Sequence, residues 1–198
     1  MIVREPYWVF PAALDKRDCD GIVELGLLSP RERGQGRDDA LEAQRRSEVA
    51  WITDDWVYER LQPWLARAND EAGWHFELEI VEDLQFAIYG EGGRYDWHVD
   101  SSPRPYTAKD ARMGEAFEGL IRKVSFSVQL SDPSTYEGGD LELEVGLPGD
   151  PERSEVPEDA RARGTVIVFP SFVPHRVRPV ARGVRYSLVG WACGKPWR

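Results

Sequence analysis

Trp97-His98-Val99-Asp100 and, far downstream, Pro174-His175 hold the side chains from which a divalent metal site is made. Two imidazoles and one carboxylate grip one face of a metal ion and leave other positions open. That set suits Fe(II), although Zn, Mn and Co can occupy the same donors. Arg185 follows ten residues after His175. Its planar guanidinium matches a carboxylate bidentately and keeps its charge when buried. The combination predicts a metal with an acidic ligand anchored beside it.

Each part alone is a weak signal, because a surface His beside an acid gives the same HxD string. The chain has only three His, so the third ligand is either His75 or His175. His75, in Gly73-Trp74-His75-Phe76, sits among aromatics at a helix-to-strand junction and reads as structural. His175 follows the apolar run Val166-Ile167-Val168-Phe169 and a turn, with Pro174 fixing its approach, and is the expected ligand. Residues i and i+2 of a strand share a face. An extended Tyr95–Val99 would therefore project His98 and Asp100 together and turn Val99 into the core. By the same rule Ser187 lies beside Arg185 and could donate to the same carboxylate.

These side chains need strands to hold them, and the strand signals lie in the second part of the chain. Phe76-Glu77-Leu78-Glu79-Ile80 alternates as a half-buried strand should. Leu84–Tyr89, Lys123–Leu130, Leu141–Val145, Val166–Phe169 and Tyr186–Ala192 are further short strands, punctuated by turns at Gly90-Glu91-Gly92-Gly93 and Glu137-Gly138-Gly139-Asp140. Many short strands between Gly and Pro turns predict a sandwich or jelly roll. The first third reads helical. Asp15 is an N-cap ahead of Cys19, Ile22 and Val23, and Asp54-Asp55 opens a helix carrying Val57, Leu61, Leu65 and Ala68, with Gly73 as its stop. Residues 29–46, with Arg31, Arg33, Arg37 and Arg45-Arg46 interleaved with acids, read as a solvated loop. Two long loops remain, at about 101–121 and 146–163. The first starts at the proposed metal and is a candidate lid; the second reads as an idle excursion.

With 198 residues, 41% hydrophobic and 30% charged, the chain fits one soluble globular domain. Residues 1–75 would be mainly helical support and 76–193 the β core. Cys19 and Cys193 stand far apart and read as reduced, buried thiols. Residues Met1 to Phe10 lack the pattern of a signal peptide, and no apolar run approaches the ~18 residues needed to span a bilayer. A cytoplasmic protein without membrane contact is expected. The net charge of −10 argues against a nucleic-acid partner.

HxD, a distal His and a basic residue about ten positions later together resemble the iron(II)- and 2-oxoglutarate-dependent dioxygenases. Within them the chain is similar to the prolyl-4-hydroxylase-like branch, including PKHD-type hydroxylases. Tyr89 nine before His98, Arg122-Lys123-Val124-Ser125, Leu130-Ser131-Asp132, Glu137-Gly138-Gly139-Asp140-Leu141, His175-Arg176-Val177-Arg178-Pro179-Val180 and Gly183-Val184-Arg185-Tyr186-Ser187 carry the likeness over about residues 76–193. It implies a double-stranded β-helix, a cupin-like jelly roll with flanking helices. His98, Asp100 and His175 would hold Fe(II). Arg185 would bind the distal carboxylate of 2-oxoglutarate, with Tyr89 and Ser187 as donors. Arg122 and Trp191 match positions near the substrate, and core packing is the competing role for Trp191. The implied reaction is O2-dependent hydroxylation of an unactivated C–H bond with release of succinate and CO2, stimulated by ascorbate.

The resemblance suggests a prolyl or other amino-acid-type substrate, either peptidyl or a small molecule, acted on by a monomer or homodimer. A metal-binding or sensing jelly roll without turnover is the alternative of a different class; an intact Arg185 argues against it. A zinc hydrolase lacks an obvious general base beside the triad, and a purely structural protein predicts no tight iron binding.

Overall fold

The computed structural model describes residues 5–34, 44–108, 110, 114–146 and 153–197. Strand β1 (Trp8–Phe10) leads to helix α1 (Lys16–Leu28), whose N-cap Asp15 accepts a hydrogen bond from the Asp18 amide at 2.8 Å. Strands β2 (Arg31–Arg33), β3 (Arg45–Arg46) and β4 (Glu48–Ile52) precede helix α2 (Asp55–Glu71). Then come β5 (Ile80–Val81), β6 (Leu84–Tyr89), β7 (Arg94–His98) and β8 (Ile121–Gln129). The chain continues through β9 (Tyr136–Gly138), β10 (Leu141–Glu144), β11 (Ser154–Glu155) and β12 (Val166–Pro170). It closes with β13 (His175–Val177), β14 (Val180–Gly183) and β15 (Arg185–Gly194).

A larger sheet runs β1-β12-β8-β15-β6-β4-β2, with β5 on β15, and a smaller one runs β11-β10-β13-β7-β3. Among the described residues every strand pair of these sheets is antiparallel. Period-two alternation gives the larger sheet two unlike faces. Phe86, Val124, Val128 and Leu188 point one way and pack with Ile22, Val57, Leu61, Leu65 and Ala68 of the helices in the main hydrophobic core. Phe86 is fully buried, so its truncation to Ala is expected to cost about 3–5 kcal/mol. Gln85, Tyr89, Ser127, Arg185, Ser187 and Trp191 belong to the other parity and line a cavity. The helices thus brace one face of the sheet and leave the other for chemistry. This is the jelly roll that the alternating strands predict.

Several expectations need correction. The first third supplies four strands besides its two helices; β2 and β3 are too short to show any alternation. Residues 29–46 are not simply a solvated loop, since Gly34 and Arg45 are buried and β2 and β3 join the two sheets. Residues 35–43 of that stretch lie outside the described residues, as do Met1 to Arg4. Of Phe76–Ile80 only Ile80 joins a ladder. The Asn69 side chain grips both the amide and the carbonyl of Phe76, at 2.9 and 3.0 Å, which ties this segment to the end of α2. His75 is exposed rather than packed. The 146–163 stretch contains β11, and its residues 147–152 are outside the described set. Cys19 and Cys193 are free and buried, as expected. No helix among the described residues is long and apolar enough to cross a membrane.

Candidate active site

His98 ends β7 and His175 opens β13, and the two residues are direct cross-strand partners. The next pairing is Val177 with Tyr95, so β7 carries one more residue than β13 over the same stretch. Such a bulge re-aims side chains. Here residues 95 and 98 both reach the cavity, which strict alternation would forbid. The rings of His98 and His175 lie 4.1 Å apart between centroids. Each ring is fixed by its Nδ1, which faces a backbone carbonyl: Asp96 at 2.8 Å for His98 and Val173 at 3.0 Å for His175. A carbonyl only accepts, so both Nδ1 atoms carry the proton and both Nε2 atoms are turned towards Asp100.

Asp100 lies just past β7. Its amide and that of Ser101 donate to the Ser171 carbonyl at 2.9 and 2.8 Å. Its Oδ2 accepts from Ser125 Oγ at 2.7 Å, and Ser125 Oγ in turn meets Ser171 Oγ at 2.9 Å. His98 Nε2 is 3.8 Å from Asp100 Oδ1 and His175 Nε2 is 3.4 Å from Oδ2. Ligand atoms of the three residues lie within 4.8 Å of one another. Val99 does not enter the core; it is half-buried and lines the cavity. Burial, with His175 nearby, holds the His98 imidazole far below its usual range, and so neutral. Burial would push Asp100 up, but the two imidazoles, Arg122 and the Ser125 hydroxyl outweigh it and keep the carboxyl ionised. A neutral His98 imidazole and an ionised Asp100 carboxylate, with His175 turned the same way and each of the three held by an outer partner, suit a divalent cation. The residues fit such an ion.

The cavity around them measures about 380 Å³. Arg185 stands at one end, with 3% exposure, on β15 opposite Tyr89 of β6. Its Nη1 donates to Ser187 Oγ at 3.3 Å, and its guanidinium carbon is 5.6 Å from the Tyr89 ring centre. Among the described residues no carboxylate pairs with it. Gly139, at φ +68°, makes room for this side chain: a Cβ there would come 3.0 Å from Arg185 Cδ and 2.9 Å from Val180 Cγ2.

The other end is organised around Glu82, which is wholly buried. Arg122 Nε and Nη2 donate to its two oxygens at 2.8 and 2.6 Å, Tyr106 Oη donates at 2.7 Å and Cys193 Sγ at 3.2 Å. The Arg122 guanidinium lies 3.8 Å over the ring of Trp191. Burial, and beyond it Glu82, keep the Tyr106 phenol protonated as a donor. Tyr106 belongs to the 101–121 loop, of which residues 109 and 111–113 lie outside the described set. Its backbone pairs with Leu120 and Gly119, so the loop is pinned at its base. Glu82, Tyr106 and Ser171 carry no signal in the sequence, because only tertiary convergence brings them here. Ser125 closes the Arg122-Lys123-Val124-Ser125 motif, but its contact with Asp100 is a tertiary one that the motif does not encode.

Comparison with known proteins agrees with this geometry. A profile for the 2OG-Fe(II) oxygenase superfamily matches residues 84–193, and the chain belongs to that superfamily. Membership implies Fe(II), 2-oxoglutarate and O2. The chain is similar to a PKHD-type hydroxylase of Picosynechococcus sp., at 36% identity over 114 residues, which is 57% of this chain and 42% of that protein. A PKHD-type hydroxylase of Hyphomonas neptunium is 34% identical over 102 residues, 52% of this chain and 38% of the relative. The match thus spans less than half of either relative. In fold the chain is similar to a viral collagen prolyl hydroxylase from Paramecium Bursaria Chlorella virus-1 solved with 2OG (TM-score 0.65, 19% identity, 96% of this chain and 97% of that one). It is also similar to a prolyl-4-hydroxylase of Pseudomonas putida (TM-score 0.67, 21% identity, 96% and 93% covered).

Proposed function

We propose that this protein is an Fe(II)- and 2-oxoglutarate-dependent hydroxylase in which His98, Asp100 and His175 hold the metal. Arg185 takes the distal carboxylate of 2-oxoglutarate, with Ser187 and Tyr89 beside it. The observation that carries this reading is the contrast between two arginines of one cavity. Glu82 balances the charge of Arg122, whereas Arg185 is buried with no carboxylate among the described residues. A buried cation of that kind favours an anionic ligand. The dicarboxylate cosubstrate of the superfamily supplies one within the cavity that holds the metal group.

Iron with 2-oxoglutarate supplies the oxidising power, coupling loss of CO2 and formation of succinate to hydroxylation of a C–H bond. The chain orients and shields. Ser125 and the two backbone carbonyls set the donors, Arg185 fixes the cosubstrate end, and Tyr106 holds the 101–121 loop as a cover that excludes water. Arg122 and Trp191 form the wall we assign to the substrate. The neutralised Arg122 suits a neutral carbonyl, which supports a prolyl or other peptidyl substrate. The hydroxylase activity named for the PKHD-type relatives supports the reaction class. A cytoplasmic setting and the absence of nucleic-acid and membrane partners complete the reading. Succinate production from 2-oxoglutarate by the iron-loaded protein tests it: turnover that depends on iron and needs far more 2-oxoglutarate in Arg185→Ala is expected, and metal-independent turnover would overturn it.

A further inference from the structure

Arg45 lies outside the stretch that matches the superfamily, on a two-residue strand of the N-terminal third. It is nevertheless buried, at 6% exposure, and lines the cavity. Its Nε donates to Ser47 Oγ at 2.8 Å and its Nη2 to Gln85 Oε1 at 2.7 Å. The guanidinium is thereby tied to the larger sheet, although β3 itself belongs to the smaller one. Gly34 leaves the space for this: a Cβ there would stand 2.7 Å from Arg45 Nε and 2.3 Å from Ser47 Oγ.

The cross-strand partner of Arg45 is Tyr95. The guanidinium carbon sits 4.6 Å from the centre of the Tyr95 ring. That ring in turn stacks on the His98 imidazole, with centroids 3.6 Å apart and planes 15° from parallel. The bulge in β7 makes the stack possible by placing residues 95 and 98 on one side. Among the described residues no ring stacks flat on His175, which Phe169 meets tilted at 60°. A hydrogen bond at Nδ1 fixes where the His98 ring points, but leaves it free to rock about that bond. A flat neighbour removes that freedom.

We propose that Arg45 is a positioning residue for the metal centre, acting through Tyr95 to hold the His98 ring in the plane that metal binding requires. This rests on the assignment of His98 as a ligand. The N-terminal third is then part of the active-site wall as well as a brace for the sheet. Groups that orient metal ligands typically change affinity by about 10–100-fold when lost.

Cobalt(II) titration of the metal-free protein, without substrate or oxygen, tests the proposal. Its readouts are the dissociation constant, the cobalt absorption spectrum and the melting temperature of the metal-free form. Tyr95→Phe keeps the ring and is expected to bind within about twofold of wild type. Tyr95→Leu and Arg45→Met are expected to bind about 10–100-fold more weakly, with altered cobalt spectra. Arg45→Lys, which keeps the charge but not the fork, should fall between. Should Arg45→Met not fold, the contrast between Tyr95→Leu and Tyr95→Phe decides. Wild-type affinity and spectrum in a folded Tyr95→Leu or Arg45→Met variant overturn the proposal, even if the melting temperature has dropped. Failure of the wild-type protein to bind cobalt would instead overturn the metal-site reading on which it rests.

Discussion

Arg185 and Tyr89 are cross-strand partners in the cavity wall, and the guanidinium carbon lies 5.6 Å from the phenol ring centre. Among the described residues no carboxylate pairs with this cation, which makes it sensitive to substitution. Losing a buried charge-assisted contact costs about 2–5 kcal/mol, which corresponds to roughly 30-fold or more in affinity. Arg185→Ala is therefore expected to raise the KM for 2-oxoglutarate by that factor while metal affinity stays near wild type. Arg185→Lys should raise it less. Steady-state kinetics with 2-oxoglutarate varied, beside a metal titration, measure both; an unchanged KM in Arg185→Ala removes the assignment.

Ser125 is the side-chain donor to Asp100, at 2.7 Å, and it is almost fully buried. Ser125→Ala is expected to weaken metal binding by about 10–100-fold, because the carboxylate loses its orienting partner. Ser125→Thr, which keeps the hydroxyl, should recover most of that. Metal titrations of both variants make the comparison, and equal affinities in the two would show that the hydroxyl is irrelevant.

The pair of half-buried Arg122 and wholly buried Glu82 should behave unlike an exposed pair such as Arg67 and Glu71. Glu82→Ala leaves the half-buried Arg122 guanidinium without its anion and is expected to destabilise the fold by about 3 kcal/mol. Glu71→Gln should cost no more than about 1 kcal/mol. Urea unfolding distinguishes the two, and similar midpoints would show that water reaches Glu82 after all.

Acid should unfold the protein partly through Glu142. Its carboxylate accepts from Arg178, Arg176 and Ser154. The Arg178 hydrogen bond, opposed by burial and helped by Arg176 and Ser154, holds it at about 2 against an ordinary 4.5. Between those values the unfolded chain binds more protons than the folded one, so stability rises with pH in that window. The contribution is complete above about pH 4.5 and is lost as pH falls towards about 2. Unfolding free energy measured against pH should show a shallower acid slope in Glu142→Gln than in wild type; superimposable slopes would count against this role.

His98, Asp100, His175, Arg185 and Ser187 were legible in the sequence for physical reasons. Histidine is rare in this chain, and strand alternation says which neighbours share a face. Strands β6, β8, β12 and β15 are legible because each is an apolar-rich run of five residues or more, whereas β9, β11, β13 and β14, of two to four residues, are too short to show a pattern. Arg45, Glu82 and Ser171 were not legible, since each reaches the site through contacts between elements distant in sequence. Strands β2 and β3 hide among charges that suggest solvent, yet Arg45 is buried and donates to Ser47 and Gln85. The bulge that puts Tyr95 beside His98 breaks the very alternation by which strands are recognised.

The measurement that bears most directly on the central claim is anaerobic titration of the iron-loaded protein with 2-oxoglutarate, followed by visible absorption. A weak metal-to-ligand charge-transfer band reports chelation of the keto acid at an iron with open positions. The band should grow to saturation in wild type and be absent in Asp100→Ala. No band in correctly metallated wild-type protein, or an undiminished band in Asp100→Ala, would contradict the account.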